Sequence, residues 1–212
     1  MTVCVGNINA GSLRVETVQS LLAVRHLYTD LLLETAGPYL DVGRNKVVDR
    51  FWREYDDDYL LFVDSDIKFT PENFETLLSL AAPDRIVSGV YKGVFPDLGV
   101  RTVACRWGWD ERQNTVSLVP IADNVLKETD DNGLVKVDGV GAGFMIFHRE
   151  LVAKMLETFD YPMPWFYEAV LERNKQWVGE DLLFCLRAEM LGVYSYVAPG
   201  VNVGHIKHME LR

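Results

Sequence analysis

The run Tyr59-Leu60-Leu61-Phe62-Val63 ends at Asp64-Ser65-Asp66, and this junction constrains the fold more than any other stretch of the chain. An apolar run with no alternating polar residue describes a strand buried on both faces. Such a strand lies inside a sheet covered by helices above and below, which is the α/β layout. Two carboxylates then arrive at i and i+2, at the carboxyl end of the strand, where open α/β sheets collect ligands. On an extended segment those positions point to one side, so both acids are expected to reach one cation. A hard divalent ion held by one or two carboxylates keeps positions free for phosphate oxygens. A solvated acidic turn ahead of the helix opened by Thr70-Pro71-Glu72 fits the same residues, and context has to choose.

The first half of the chain supplies that context by alternating strand-like and helix-like segments. Residues 2–5 read as a strand and 6–12 as a loop, followed by a helix over 13–24 with Val18, Leu21, Leu22 and Arg25 in helical spacing. A second strand over 29–33 ends at Glu34. An amphipathic helix over 41–55 carries Val47, Val48, Phe51 and Trp52 on one face. After the acidic junction come a helix over 71–82, with proline in its first turn, and a strand over 86–91. This βαβαβαβ order predicts a mostly parallel sheet with helices on both faces.

The second half is less regular. A loop is expected over 93–101, a short hairpin over 103–120 and an exposed polar stretch over 122–133. Strands over 135–140 and 143–147 flank Gly139, Gly141 and Gly143. A helix over 150–158, an aromatic, proline-stiffened loop over 161–167 and a helix from Glu180 to before Gly192 follow. A strand over 193–197 and a tail with His205 and His208 close the chain. No repeat or linker interrupts it, so one domain over 1–212 is expected, with a ligand-binding half (1–91) and a smaller, irregular β region in the other half (92–212).

Composition narrows the partners. A formal net charge of -10 argues against non-specific binding to nucleic acid or an anionic membrane, which calls for a basic face. An anionic substrate then needs a metal or local basic residues to reverse the field. No apolar run approaches the roughly 18 residues of a membrane-spanning helix, and the first residues lack a signal peptide's basic and apolar regions. The cysteines Cys4, Cys105 and Cys185 are odd in number and widely spaced, which reads as buried thiols in a reducing, cytoplasmic setting.

Three further segments carry possible chemistry. Gly179-Glu180-Asp181 opens a helix whose later positions are mainly apolar. Acids there complement the helix dipole with no further purpose, or one of them accepts a proton from an incoming hydroxyl. Val203-Gly204-His205 follows a strand-like segment and either packs or returns an imidazole to the acidic edge, where nitrogen ligation would favour manganese over magnesium. Val137-Asp138-Gly139-Val140-Gly141-Ala142-Gly143-Phe144 permits close backbone approach to a ligand, but no helix follows at the place a dinucleotide fingerprint requires.

Taken together these segments resemble the GT-A glycosyltransferases, especially the family-two-like group in its compact phage or bacterial form, across nearly the whole chain. Asp64-Ser65-Asp66 looks like the family's metal-binding D-x-D. Gly141-Ala142-Gly143-Phe144 resembles its acceptor-side glycine segment, and Gly179-Glu180-Asp181 with Phe184, Cys185 and Arg187 resembles its E-D motif and helix. His205 resembles the histidine that completes the metal site, and Gly43-Arg44-Asn45 the A-R-N segment beside the nucleotide. The loop after the first strand, Gly6-Asn7-Ile8-Asn9, departs from the family's P-x-Y-N-like form.

The resemblance implies transfer of a sugar from a UDP- or GDP-sugar to a hydroxyl acceptor, with Mn2+ or Mg2+ neutralising the leaving diphosphate. Asp66 is the expected first metal ligand, Asp64 a contact to ribose or metal, and His205 a third ligand. Asn7, Asn45 and Gly141 are expected beside the nucleotide sugar, and Glu34 is expected to accept an N–H from uracil or guanine. Arg44 and Lys207 are expected to offset phosphate charge. Asp181 is the expected base in an inverting reaction, supported by Glu180. The alternatives are a haloacid-dehalogenase-like phosphatase, against which Lys68 stands where that site needs a hydroxyl residue, and a non-catalytic binder of nucleotide sugars or carbohydrate.

Overall fold

A computed structural model describes residues 1–37, 39–95, 98–111, 114–159 and 164–207. Its centre is a seven-stranded sheet built from β1 (Val3–Asn9), β2 (Asp30–Thr35), β3 (Tyr59–Val63), β5 (Arg85–Val90), β10 (Val135–Val137), β12 (Phe144–His148) and β15 (Tyr194–Asn202). The spatial order is β10-β15-β5-β12-β3-β1-β2. Strands β2, β1, β3, β5 and β15 run parallel, while β12 and the edge strand β10 run against them. The remaining strands are β4 (Ile67–Lys68), β6 (Lys92–Phe95), β7 (Gly99–Thr102), β8 (Ala104–Asp110), β9 (Thr115–Pro120), β11 (Gly139–Val140), β13 (Ala169–Val170), β14 (Trp177–Val178) and β16 (Gly204–His205). The helices are α1 (Val15–Ala23), α2 (Leu40–Glu54), α3 (Pro71–Leu80), α4 (Arg149–Thr158) and α5 (Glu180–Met190).

All residues of β3 are buried, and they divide by strand parity. Leu60 and Phe62 join the core beneath α2, α4 and α5, with Val48, Phe51, Leu151, Phe147 and Phe184. Leu61 and Val63 join the opposite core beneath α1 and α3, with Leu21, Phe74, Leu77 and Ile146. Helices therefore cover both faces, and an uninterrupted apolar strand is what that geometry selects. Helix α3 starts where its sequence says: Thr70 and Asn73 form a reciprocal capping box, with Pro71 at the first helical position.

Several boundaries differ from the sequence reading. Strand β1 runs through Gly6-Asn7-Ile8-Asn9, the expected loop, because β2 also extends to Thr35 and pairs with it residue for residue. Most described residues of the expected loop over 93–101 instead belong to the antiparallel strands β6 and β7. The expected strand over 135–140 breaks at Asp138. Its first part pairs with β15 in the main sheet, and its second pairs with β8 in a separate three-stranded sheet, β11-β8-β9. The last sheet strand, β15, continues well past 197. Residues 161–163 of the expected aromatic loop, and His208, lie outside the described residues.

The three cysteines are free and buried. Among the described residues no helix is long and apolar enough to cross a membrane.

Candidate active site

Strand parity sets the first site contact. Asp64 continues the side of β3 that carries Leu60 and Phe62, and so faces α2 and α5. On α2 the residues Arg44, Val47, Val48 and Phe51 lie on the buried face, a helical i, i+3, i+4, i+7 spacing. The Arg44 guanidinium lies 5.4 Å over the Phe62 ring. It donates to both Asp64 oxygens (3.3 and 3.4 Å), to Glu180 Oε1 (3.1 Å) and to the Ala142 carbonyl (3.5 Å). Arg44 is only 3% exposed, and burial alone would weaken its charge. The Asp64 and Glu180 carboxylates outweigh that burial and hold the guanidinium firmly protonated. One buried cation thus joins the A-R-N-like segment, the acidic junction, the glycine segment and the start of α5. Arg44, which the resemblance sets beside phosphate, meets two carboxylates and a backbone carbonyl in this structure.

A second cluster stands on the far acid. The chain turns after β3, with Ile67 N–H donating to the Asp64 carbonyl at 3.2 Å. The D-x-D is therefore a turn and not the extended segment expected, yet Asp64 and Asp66 line the same cavity. Tail strand β16 pairs with β4, setting His205 beside Ile67. His205 Nε2 lies 3.4 Å from Asp66 Oδ2, and Lys207 Nζ donates to that oxygen at 2.7 Å. Burial would raise the Asp66 pKa, but hydrogen bonds from His205 and Lys207 prevail and hold it down at about 2. His205 Nδ1 sits 2.7 Å from the Lys92 carbonyl, an arrangement that fixes its proton there and leaves Nε2 toward Asp66. Burial opposes protonation of His205, while Asp66 and the Lys92 carbonyl raise its pKa overall.

The cavity shared by the two acids has a volume of about 190 Å³, with Ile8, Asn9, Ala10, Ala36, Gly37, Leu40, Ser65 and Lys207 completing its walls. Among the described residues no group of three His, Cys, Asp or Glu side chains is disposed to hold a metal ion. Two protein donors, Asp66 and His205, adjoin each other, and Asp64 is turned into its contacts with Arg44.

Helix α5 presents both acids at its amino end. Glu180 is buried against Arg44. Asp181 is half-buried and accepts the Leu182 N–H at 2.8 Å. Burial raises the Asp181 pKa, the neighbouring Glu180 charge raises it further, and Arg44 only partly offsets them, leaving it at about 7. Tyr91, at the carboxyl end of β5, was missed by the sequence reading. Its hydroxyl accepts the Gly143 N–H at 2.9 Å and its ring meets His205 edge-on at 5.4 Å. The same rule that singles out Asp64, a polar group at the carboxyl edge of a parallel strand, would have found it.

Other expected contacts sit differently. Asn7 is fully buried and donates to the Val63 carbonyl at 2.7 Å, locking β1 to the end of β3. Asn45 clamps the Phe166 backbone, accepting its N–H at 3.1 Å and donating to its carbonyl at 2.5 Å. Glu34 lies inside β2, pairs with Lys46 at 3.1 Å, and is absent from the cavity lining. In each case a longer strand or a packed helix draws the side chain into the scaffold. Gly141 bonds backbone to backbone with Val103, and a Cβ there would run into the Tyr91 hydroxyl and Val103 Cγ1. Gly141→Ala is expected to cost about 1–3 kcal/mol of stability through overpacking. Thermal unfolding checks this, and an unchanged midpoint would contradict the close approach.

The sheet order, the acidic turn and the joined start of α5 make this a GT-A-like α/β fold. Solved structures with this fold include A197 from STIV, at 20% identity and a TM-score of 0.61, covering 98% of this chain and 87% of that one. Another is GalNAc-T7 with UDP, GalNAc and Mn2+, at 13% identity and a TM-score of 0.63, covering 99% of this chain and 44% of that one. No protein-family model and no curated protein sequence matches the chain.

Proposed function

We propose that the protein is a metal-assisted glycosyltransferase that moves a sugar from a UDP- or GDP-sugar to a hydroxyl acceptor. The observation that carries this reading is the Arg44 hub, which ties the acidic turn after β3 to the acidic start of α5. Donor-side carboxylates and a candidate base thereby share one region at the ligand edge of the sheet. The nucleotide occupies the cavity of Ile8, Ala36, Gly37 and Leu40, with its diphosphate toward Asp66 and Lys207. GalNAc-T7, which has this fold, was solved with UDP, GalNAc and Mn2+, in keeping with that donor class.

The residues at the acidic turn fit a divalent ion. His205 is oriented through its other nitrogen by a carbonyl, as metal-bound histidines are. Asp66 and His205 would hold the ion, with Asp64 as a further ligand or a ribose contact. Substrate phosphates complete such a site, so a third clustered protein ligand is not required. When bound, the ion supplies Lewis-acid neutralisation of the leaving diphosphate. Lys207 pairs with the same charge from the tail side. In an inverting transfer Asp181 accepts the acceptor's proton, and Glu180, pinned by Arg44, positions it.

Calorimetric titration of UDP and GDP with and without Mn2+ tests the donor site. Mn2+ is expected to strengthen binding to the wild type, and Asp66→Asn is expected to remove most of that gain while the protein stays folded. Equal affinity with and without Mn2+ in the wild type would overturn the metal assignment.

A further inference from the structure

Away from the acidic edge, the outer side of α5 borders a cleft of about 570 Å³ whose walls include Trp107, Tyr167, Leu171, Leu183 and Met190. Arg187 also lines it and is 6% exposed. Its guanidinium lies 3.7 Å over the Phe159 ring and 4.8 Å over the Tyr167 ring. Stacking uses the faces of a guanidinium and leaves its N–H edge to be satisfied by oxygen acceptors. Here part of that edge is unmet: among the described residues Arg187 Nη1 is buried without a hydrogen-bond partner.

Among the described residues no carboxylate pairs with Arg187, although the chain carries a net charge of -10. Glu172 and Glu189 stand at the same cleft and leave Arg187 alone. A buried guanidinium with no paired carboxylate among the described residues is costly, in contrast to Arg44, which is also buried but meets two carboxylates. A second cation of the cleft wall, Arg173, stacks on Trp107 at 3.5 Å.

We propose that this cleft is a second binding site, for a small organic carboxylate whose ring or chain packs on the apolar walls while its carboxylate meets the Arg187 edge. A planar fork of N–H donors matches a carboxylate's paired oxygens. The proposal does not rest on the sugar-transfer reading. Arg187 lies six residues beyond Asp181, about 9 Å along the helix axis, and about a third of a turn around it.

Benzoate, benzamide and inorganic phosphate are the probes, measured by calorimetry and by the shift in thermal unfolding. Benzoate is expected to bind and raise the midpoint, with benzamide and phosphate each weaker by about tenfold or more, the effect of losing a charged partner or an apolar body. Arg187→Met is expected to lose the benzoate response. Met190 is well exposed at the cleft, so Met190→Glu keeps the fold and sets a repelling carboxylate there; it should weaken benzoate several-fold even if Arg187→Met fails to fold. Benzamide or phosphate binding as tightly as benzoate would overturn the proposal. So would unchanged benzoate affinity in Met190→Glu, or no benzoate binding by the wild type.

Discussion

Asp181→Asn is expected to lower transfer to acceptor by about 10²–10⁴-fold, the usual cost of losing a positioned base, while donor affinity stays near wild type. Asparagine keeps the size of the side chain and its bond to the Leu182 N–H, but it cannot accept a proton. Transfer by the wild type is expected to rise with pH through about 7, because burial, then Glu180, lifts the Asp181 pKa to that range. The same shift has a stability consequence of fixed sign. A carboxyl whose pKa is higher folded than unfolded stabilises the fold while protonated, below about pH 4, and that contribution is lost as pH rises to about 7. Asp181→Asn should therefore flatten both the activity profile and this part of the stability profile. A variant that transfers at wild-type rate would reduce Asp181 to a helix-start residue.

Arg44→Met is expected to destabilise the fold by about 3–5 kcal/mol, because it leaves Asp64 and Glu180 facing each other's charge without a buried counter-ion. Chemical denaturation measures this directly. Charge removal on the partners should restore much of the loss: the triple replacement Arg44→Met, Asp64→Asn, Glu180→Gln is expected to be clearly more stable than Arg44→Met alone, since residues in one network do not add. Donor binding by the triple variant should be weaker than by the wild type, because the acidic turn has lost a carboxylate. If Arg44→Met unfolds like the wild type, the hub is not what joins the two acidic segments.

Much of this fold was legible because its signals are local. The unbroken apolar stretch of β3, the Thr70-Pro71 start of α3 and the apolar face of α2 each require one secondary structure and a burial on a stated side. What could not be read was pairing between distant segments. Nothing local in Phe144–His148 says that it inserts antiparallel between β3 and β5, and nothing local in Asp138 says that the chain changes sheets there. The site divides in the same way. That Asp64 and Asp66 stand at the end of a buried strand was expected from their position; His205 was left open between packing and returning to that edge, and Asp181 was joined to them only by the family resemblance. Arg44, Asn7 and Asn45 were expected to touch ligand, but their partners, Glu180, the Val63 carbonyl and Phe166, lie far away in sequence or across the sheet. Polar side chains that look available in a sequence are taken up by the scaffold once those partners arrive.

The most direct test of the central claim is turnover of nucleotide sugars in the absence of acceptor. Incubating the protein with a panel of UDP- and GDP-sugars, with Mn2+ and with chelator, and measuring release of nucleoside diphosphate, separates an enzyme from a binder. Slow hydrolysis of at least one donor is predicted with Mn2+, suppressed by chelator and greatly reduced in Asp66→Asn. Tight binding of a donor with no release of nucleoside diphosphate under any of these conditions would contradict the account.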